Sequence, residues 1–332
     1  MNELVFFLNN VVISGLVIGS IYALGAVGIT LIFSILRFAH FAHADMMTLG
    51  AFYAFFLTAM FPAVGPAIGL PTAFIMLPIA MALTAVTAIY LDKGFYRPLR
   101  KHNVKPIVIV MASLGVTLML QGLIRMFMGT SARNMYIDDR KDIFRIDLPF
   151  ELASRPLVIT DPQILLFIVL IVSVISLHLF LTRTRLGKAM RAMSDNPDLA
   201  SVSGINTDTV VKVTWVIAGC LAAAAGTMLS LDVTLKPDLS FHLLLPIFAA
   251  AIVGGVGHPY GALVGGFVIG FAETLSVFNW SILLRPFRDY LWFDLPSSLA
   301  IVPTEFKITV PFFILLAILV WRPTGLFKGK VL

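Results

Sequence analysis

The residues with most chemistry to offer are His40, His43 and Asp45, an H-x-x-H-x-D cluster within RFAHFAHADMM. Two imidazoles and a carboxylate at that spacing form a chemically reasonable three-ligand set for zinc. No second cluster follows, however, and His102, His178, His242 and His258 are scattered. Asp45 also suits a plainer role as N-cap of the next helix, with the imidazoles satisfying backbone groups at a helix break. The expectation is therefore that no metal is bound. Glu273 is the next candidate, because an acid inside an apolar run is a functional candidate by default. Its alternative is a structural pair with Arg285 or Arg288, and both readings stay open. Gln121 and Arg125 lie one turn apart near the end of an apolar run, where they are expected to snorkel toward the interface. The glycines Gly254, Gly255, Gly257, Gly261, Gly265 and Gly266 read as packing contacts rather than a binding loop. ATP binding needs G-x-x-x-x-G-K-[ST], but Gly187-Lys188 is followed by Ala189, and Thr182 stands where the first Gly belongs. If ATP powers this protein, another chain binds it.

The elements that must carry these residues are membrane spans. Of 332 residues, 59% are hydrophobic and only 13% charged, with a mean hydropathy of +0.95. Soluble domains carry about 25% charged residues. Apolar runs long enough to cross a bilayer recur along the whole chain, and nothing suggests a sizeable soluble domain. The net charge of +6 is not a nucleic-acid signature, because the basic residues sit between the spans. The lone Cys220 excludes an intrachain disulfide. The expected fold is an all-α polytopic bundle of about eight to nine spans, with broken or re-entrant helices.

Basic residues set the orientation. The start lacks the basic stretch of a signal peptide, and the first Lys or Arg is Arg37, so the N-terminus is expected outside. Lys93, Arg97, Arg100, Lys101 and Lys105 against Asp92 mark a cytoplasmic loop, and the closing RPTGLFKGK is basic and inside. Between Thr130 and Asp161 five basic residues meet six acids, which reads as extracytoplasmic. The first span carries Gly15, Gly19, Ser20, Ala23, Gly25 and Gly28, small residues that let helices approach closely in lipid. It is expected to be central. The Gly- and Ala-rich stretch from Ala249 to Gly270 is long enough for two short helices meeting at Gly257-His258-Pro259. HADMMTLGAF and HPYGALVGGF echo each other faintly, as the halves of a repeated transporter plan do.

TRTRLGKAMRAMSDNPDLASVSGIN, from Thr182 to Asn206, is the longest polar interruption on the basic side. Leu186, Met190 and Met193 recur about one turn apart, with Lys188, Arg191 and Asp195 turned elsewhere, the pattern of a short amphipathic helix. Asn196-Pro197 ends that helix and starts another, with Asn196 as N-cap and Pro197 at its first position. Leu199 and Val202 would face the same way, and Gly204 closes the second helix with a left-handed cap. Two helices in a loop make a docking surface; a segment resting on headgroups needs less organisation.

GSIYALGAVGITLIFSILRFAHFAHADMMTLGAF, RTRLGKAMRAMSDNPDLASVSGIN, GGVGHPYGALVGGFVIGFAE and the closing WRPTGLF resemble, in order and spacing, the branched-chain amino-acid permeases of ABC importers. The likeness covers nearly the whole chain and is greatest to the first of the two paired permeases. Ala44 stands at the Gly position of that family's F-A-H-G-D-like segment. The resemblance implies one permease domain, residues 1–332, in a bacterial inner membrane. It implies a second permease, two cytoplasmic ATPase subunits that bind ATP and magnesium, and a periplasmic binding protein as partners, with no cofactor or catalytic residue on this chain. The family's coupling loop corresponds to about 182–208, with Leu186, Gly187, Lys188, Met190, Arg191, Met193, Asp195, Leu199 and Gly204 as candidate coupling residues. Phe41, His43, Asp45, Gly50, Gly254, Gly255, Gly257 and Glu273 are the candidate path residues, a zwitterion being met largely by helix ends. Alternatives are a permease for urea or short amides, an ion-coupled transporter using Glu273 or Asp45, and a metalloenzyme built on His40, His43 and Asp45.

Overall fold

The computed structural model describes residues 2–138, 140–147, 156–286 and 296–327. Eleven helices serve to describe it. α1 is Asn2–Leu36, with a π-helical stretch at Leu8–Ile13; α2 is His43–Met60; α3 is Leu77–Lys101; and α4 is Pro106–Met128. After a hairpin of β1 (Ile143–Ile146) and β2 (Leu157–Thr160) come α5 (Asp161–Arg183), α6 (Arg185–Asp195) and α7 (Pro197–Val202). α8 (Thr207–Asp232), α9 (Leu244–Gly254), α10 (Pro259–Val277) and α11 (Thr309–Trp321) complete the bundle.

Six of these, α1, α3, α4, α5, α8 and α10, are long and apolar enough to cross a membrane by themselves. α2, α9 and α11 are shorter, at 18, 11 and 13 residues. With the six they make nine helices among the described residues, against the eight to nine spans expected; α2 is long enough but more polar, and α9 and α11 are short. The spans differ sharply in exposure. The most apolar window of α1 is 83% buried and that of α8 is 78%, against 39% for α4 and 28% for α5. α1 and α8 therefore form the centre, and α4 and α5 face outward with Leu118, Met126, Phe127 and Ile171 exposed.

Small residues make that centre possible. α1 and α10 run antiparallel in close contact, Gly19 lying against Phe267 and Gly266 against the backbone of Ala23. α8 crosses α2 where Gly50 meets Ala223 and Gly226 meets the Met47 carbonyl; a Cβ on either glycine would overlap its neighbour. In lipid such approach replaces the hydrophobic effect as the source of helix association, because dispersion contacts are all that distinguish a helix neighbour from an acyl chain.

Two breaks interrupt the bundle. Arg37, at φ 56°, ends α1 in the left-handed region, and the chain turns through residues 38–42 before α2 begins at His43. Gly255 and Gly257, at φ 108° and 90°, separate α9 from α10, whose first residue is Pro259. The expected meeting of two helices at Gly257-His258-Pro259 is thus found. His43 opens α2 and His258 flanks the start of α10, so the two echoed segments occupy like positions after a break. The C-terminal segment closes the second break: the amides of Leu326 and Phe327 donate to the carbonyls of Val253 and Gly254, at 2.8 and 3.3 Å. Those carbonyls are orphans at the end of α9.

Candidate functional site

The loop from α5 to α8 folds as its sequence spacing predicts. The Thr184 hydroxyl caps α6, accepting from the Gly187 amide at 2.9 Å. Asn196 caps α7, its Oδ1 accepting from the Leu199 amide at 3.0 Å, and Pro197 takes the first helical position. Gly204, at φ 84°, closes α7, and Asn206 then caps α8 by accepting from the Thr209 amide at 3.0 Å. Four caps within 23 residues make this a fixed element rather than a slack connection.

Its apolar face is not where the spacing suggests. Met190 and Met193 are turned into the bundle, 2% and 7% exposed, and Gly187 sits so close to the backbone of Phe180 and Leu181 that no side chain fits there. The apolar residues left outside are Leu186, Leu199 and Val202, at 39%, 64% and 85% exposure, flanked by exposed Lys188 and Arg191. Periodicity identifies residues that share a helix face; it does not say whether that face meets solvent or the parent fold. Asp195 is exposed and lines, with Arg191, Ser194 and Met190, a cavity of about 330 Å³. Gly257, His258 and Tyr260 form another wall of it, and the Tyr260 hydroxyl contacts His178 Nδ1 at 2.8 Å.

At the first break, Phe41 donates its amide to the Ser113 hydroxyl at 3.2 Å and packs its ring on Phe248 of α9, 4.9 Å between centroids. His40 is buried, its Nε2 3.0 Å from the Tyr96 hydroxyl, and Tyr96 stacks on Trp215. His43 is buried in the notch left by Gly28, and among the described residues neither ring nitrogen has a hydrogen-bond partner. Neither imidazole satisfies a helix end, contrary to expectation. Asp45 is not the N-cap of α2 either, since the helix already begins at His43 with Ala42 as cap. Its Oδ1 instead accepts from Gln121 Nε2 at 3.0 Å, and Gln121 Oε1 accepts from Arg125 at 3.3 Å. Gln121 is buried and reaches inward rather than snorkelling out, whereas Arg125 is exposed. A carboxylate inside the bundle costs several kcal/mol unless partnered, and the amide on α4 supplies the partner. Among the described residues, no three His, Cys, Asp or Glu side chains are grouped to hold a metal ion.

Glu273 is buried on α10 and has two partners. Its Oε2 accepts from the Tyr22 hydroxyl of α1 at 2.7 Å, and its Oε1 lies 3.3 Å from Lys307 Nζ. The base of the pair is thus Lys307, not Arg285; Arg288 lies outside the described residues. Gly254 packs on the backbone of Gly261 where α9 and α10 meet, and Gly50 on α8. The candidate path residues therefore fall into separate groups: Phe41, His43 and Asp45 around the first break, Gly254, Gly255 and Gly257 at the second, and Glu273 toward the far end of α10. Sequence reasoning missed Arg37, Tyr22 and Lys307. The signal for each was a lone polar residue at or beside a very apolar helix.

The described residues thus form a helical bundle with membrane-spanning helices, two helix breaks and a capped two-helix loop. The chain belongs to the family of branched-chain amino acid transport system permease components, which matches residues 11–320. It is 28% identical to the high-affinity branched-chain amino acid transport system permease protein BraD of Pseudomonas aeruginosa, over 98% of this chain and 97% of the relative. It is 27% identical to the corresponding LivH protein of Escherichia coli strain K12, over the same shares. Over 60% of this chain and 58% of the relative it is 25% identical to the ribose import permease protein RbsC of that organism.

Proposed function

We propose that this chain is a membrane-spanning subunit of an ATP-driven ABC importer for branched-chain amino acids, and that residues 182–208 receive the push of the ATPase. One observation carries the reading: α6 is fixed to the bundle by Met190, Met193 and Gly187, while Leu186, Leu199 and Val202 stand exposed beside Lys188 and Arg191. A docking element must be stiff on its inner side and apolar on its outer side, and this one is both. The names of BraD and LivH favour branched-chain amino acids over urea or short amides. The pairing of Glu273 with a protein cation, Lys307, favours the importer over a transporter that uses a bare carboxylate for ion coupling.

In this reading the chain lies in the bacterial inner membrane, with its N-terminus periplasmic and its C-terminus cytoplasmic. Its partners are a second permease, two cytoplasmic ATPase subunits that carry ATP and magnesium, and a periplasmic binding protein. The test is co-purification from native membranes with Leu199→Asp and Val202→Asp combined. Both side chains are exposed, so insertion and folding persist while the ATPase subunits are lost. Full ATPase recovery with normal leucine uptake in that variant would exclude the loop as the docking surface.

A further inference from the structure

A cavity of about 340 Å³ lies at the end of the bundle remote from α6. It is lined early in α1 and late in α10, whereas the cavity beside α6 is lined by the opposite ends of those antiparallel helices. Its wall is mixed in chemistry. The lining combines the contacting Glu273 and Lys307 with Asn10 and Thr304, and with the apolar Ile18, Phe278 and Ile282. A structural ion pair is normally packed around, but this one faces a space within the ~300–1,000 Å³ typical of small-molecule sites. The two charges are also held differently. The Glu273 side chain is 4% exposed and fixed by the Tyr22 hydroxyl, whereas that of Lys307 is 56% exposed and able to swing.

We infer that this cavity receives a free α-amino acid with an aliphatic side chain, its ammonium on Glu273 and its carboxylate on Lys307. The inference rests on the importer reading above. In an α-amino acid both charges hang from one carbon, so an acid and a base already in contact meet both together. An ethanolamine phospholipid headgroup holds its charges further apart, and a contact pair fits it less well. Entry of the ligand exchanges one ion pair for two and leaves no buried charge unpaired, which is the condition for a charged ligand at membrane depth. The aliphatic side chain then lies against Phe278 and Ile282. Because this end is the one away from the docking loop, the site is a first station for substrate arriving from outside.

The test uses the assembled transporter in phosphatidylglycerol nanodiscs, without ATP or binding protein, and radiolabelled leucine as probe. Leucine is expected to be retained, with leucine methyl ester and N-acetyl-leucine each competing at least about tenfold less well, the loss of one charge-assisted contact. Lys307→Gln is expected to weaken retention by a similar factor and, since it leaves the buried Glu273 without its cation, to lower the melting temperature, whereas Lys307→Arg, which keeps the charge, is expected to restore both. Failure of the wild-type protein to retain leucine, equal retention by Lys307→Gln, or equal competition by the methyl ester would each overturn the site. So would displacement of leucine by phosphatidylethanolamine that the wild type binds and Lys307→Gln does not, which would make it a lipid site. ATP-driven uptake separates the two levels: a complex that imports no branched-chain amino acid refutes the importer reading itself, whereas import with any of the failures above refutes this cavity alone.

Discussion

The guanidinium of Arg37 donates to the backbone carbonyl of Ser194, joining the first helix break to the last turn of α6. That carbonyl is one of the four a helix leaves without an intrahelical donor, and a cation there also complements the helix dipole. The second break reaches the same helix, since Gly257 and His258 share a cavity with Met190 and Arg191. Both interruptions of the bundle therefore adjoin one eleven-residue helix, which is itself locked to α5 at Gly187. A displacement of α6 is felt directly at the first break through Arg37, while the second break faces α6 across the shared cavity.

Arg37→Ala should accordingly separate hydrolysis from transport. Leucine uptake per ATP hydrolysed is expected to fall roughly tenfold, the equivalent of one hydrogen bond to a charged group. Arg37→Lys should recover only part, because an ammonium replaces the planar fork with a point charge. Reconstituted transport and ATPase rates measured together decide it. Wild-type coupling in the alanine variant would remove Arg37 from the link.

Glycines should divide by what they face. A Cβ at Gly226 overlaps the Met47 backbone, so Gly226→Leu forces α8 away from α2 and costs about 1–3 kcal/mol or more. Nothing lies within 4 Å of a Cβ at Gly115 on α4, so Gly115→Ala should hold or slightly raise stability, alanine being the better helix former. Melting followed by size-exclusion chromatography in detergent distinguishes the two. Equal melting of both variants would show that the α2–α8 crossing is not built on close approach.

Much of this was legible in the spacing of residues, and the limits are physical. Asn196-Pro197 and Gly204 delimit α7 because caps act within three or four residues, a range the sequence displays directly. The same holds for both helix breaks. What spacing cannot display is pairing across the fold. Gln121 stands 76 positions from Asp45, and Tyr22 stands 251 from Glu273. Sequence proximity offers Glu273 only Arg285 and Arg288 as structural partners, but the base beside it, Lys307, comes from the approach to α11. Met190 and Met193 were placed on the right face of α6; whether that face looked inward or outward depended on α5 and α8, which their spacing does not encode.

The Asp45–Gln121 contact gives a double-mutant test. Gln121→Leu leaves a buried carboxylate without its donor and is expected to destabilise the protein by about 1–3 kcal/mol. Adding Asp45→Leu removes the orphaned acid and should return part of that loss, so the two changes are non-additive. Thermal unfolding of the four proteins of the cycle measures the coupling. Simple additivity would mean that the contact contributes nothing to holding α4 against α2.

The C-terminal WRPTGLF segment earns its place at the second break. Gly325, at φ 76°, turns the chain against Gly255, and the Leu326 amide then reaches the Val253 carbonyl at 2.8 Å. Leu326→Pro deletes that donor while the carbonyl stays buried at the end of α9, at a cost of about 1–3 kcal/mol. Leu326→Ala keeps the amide and loses only a half-exposed side chain. The proline variant should therefore melt earlier and show faster hydrogen exchange in residues 249–258, with the alanine variant close to wild type. Equal protection in both would mean that the break is closed by its own glycines, and that the tail merely lies over it.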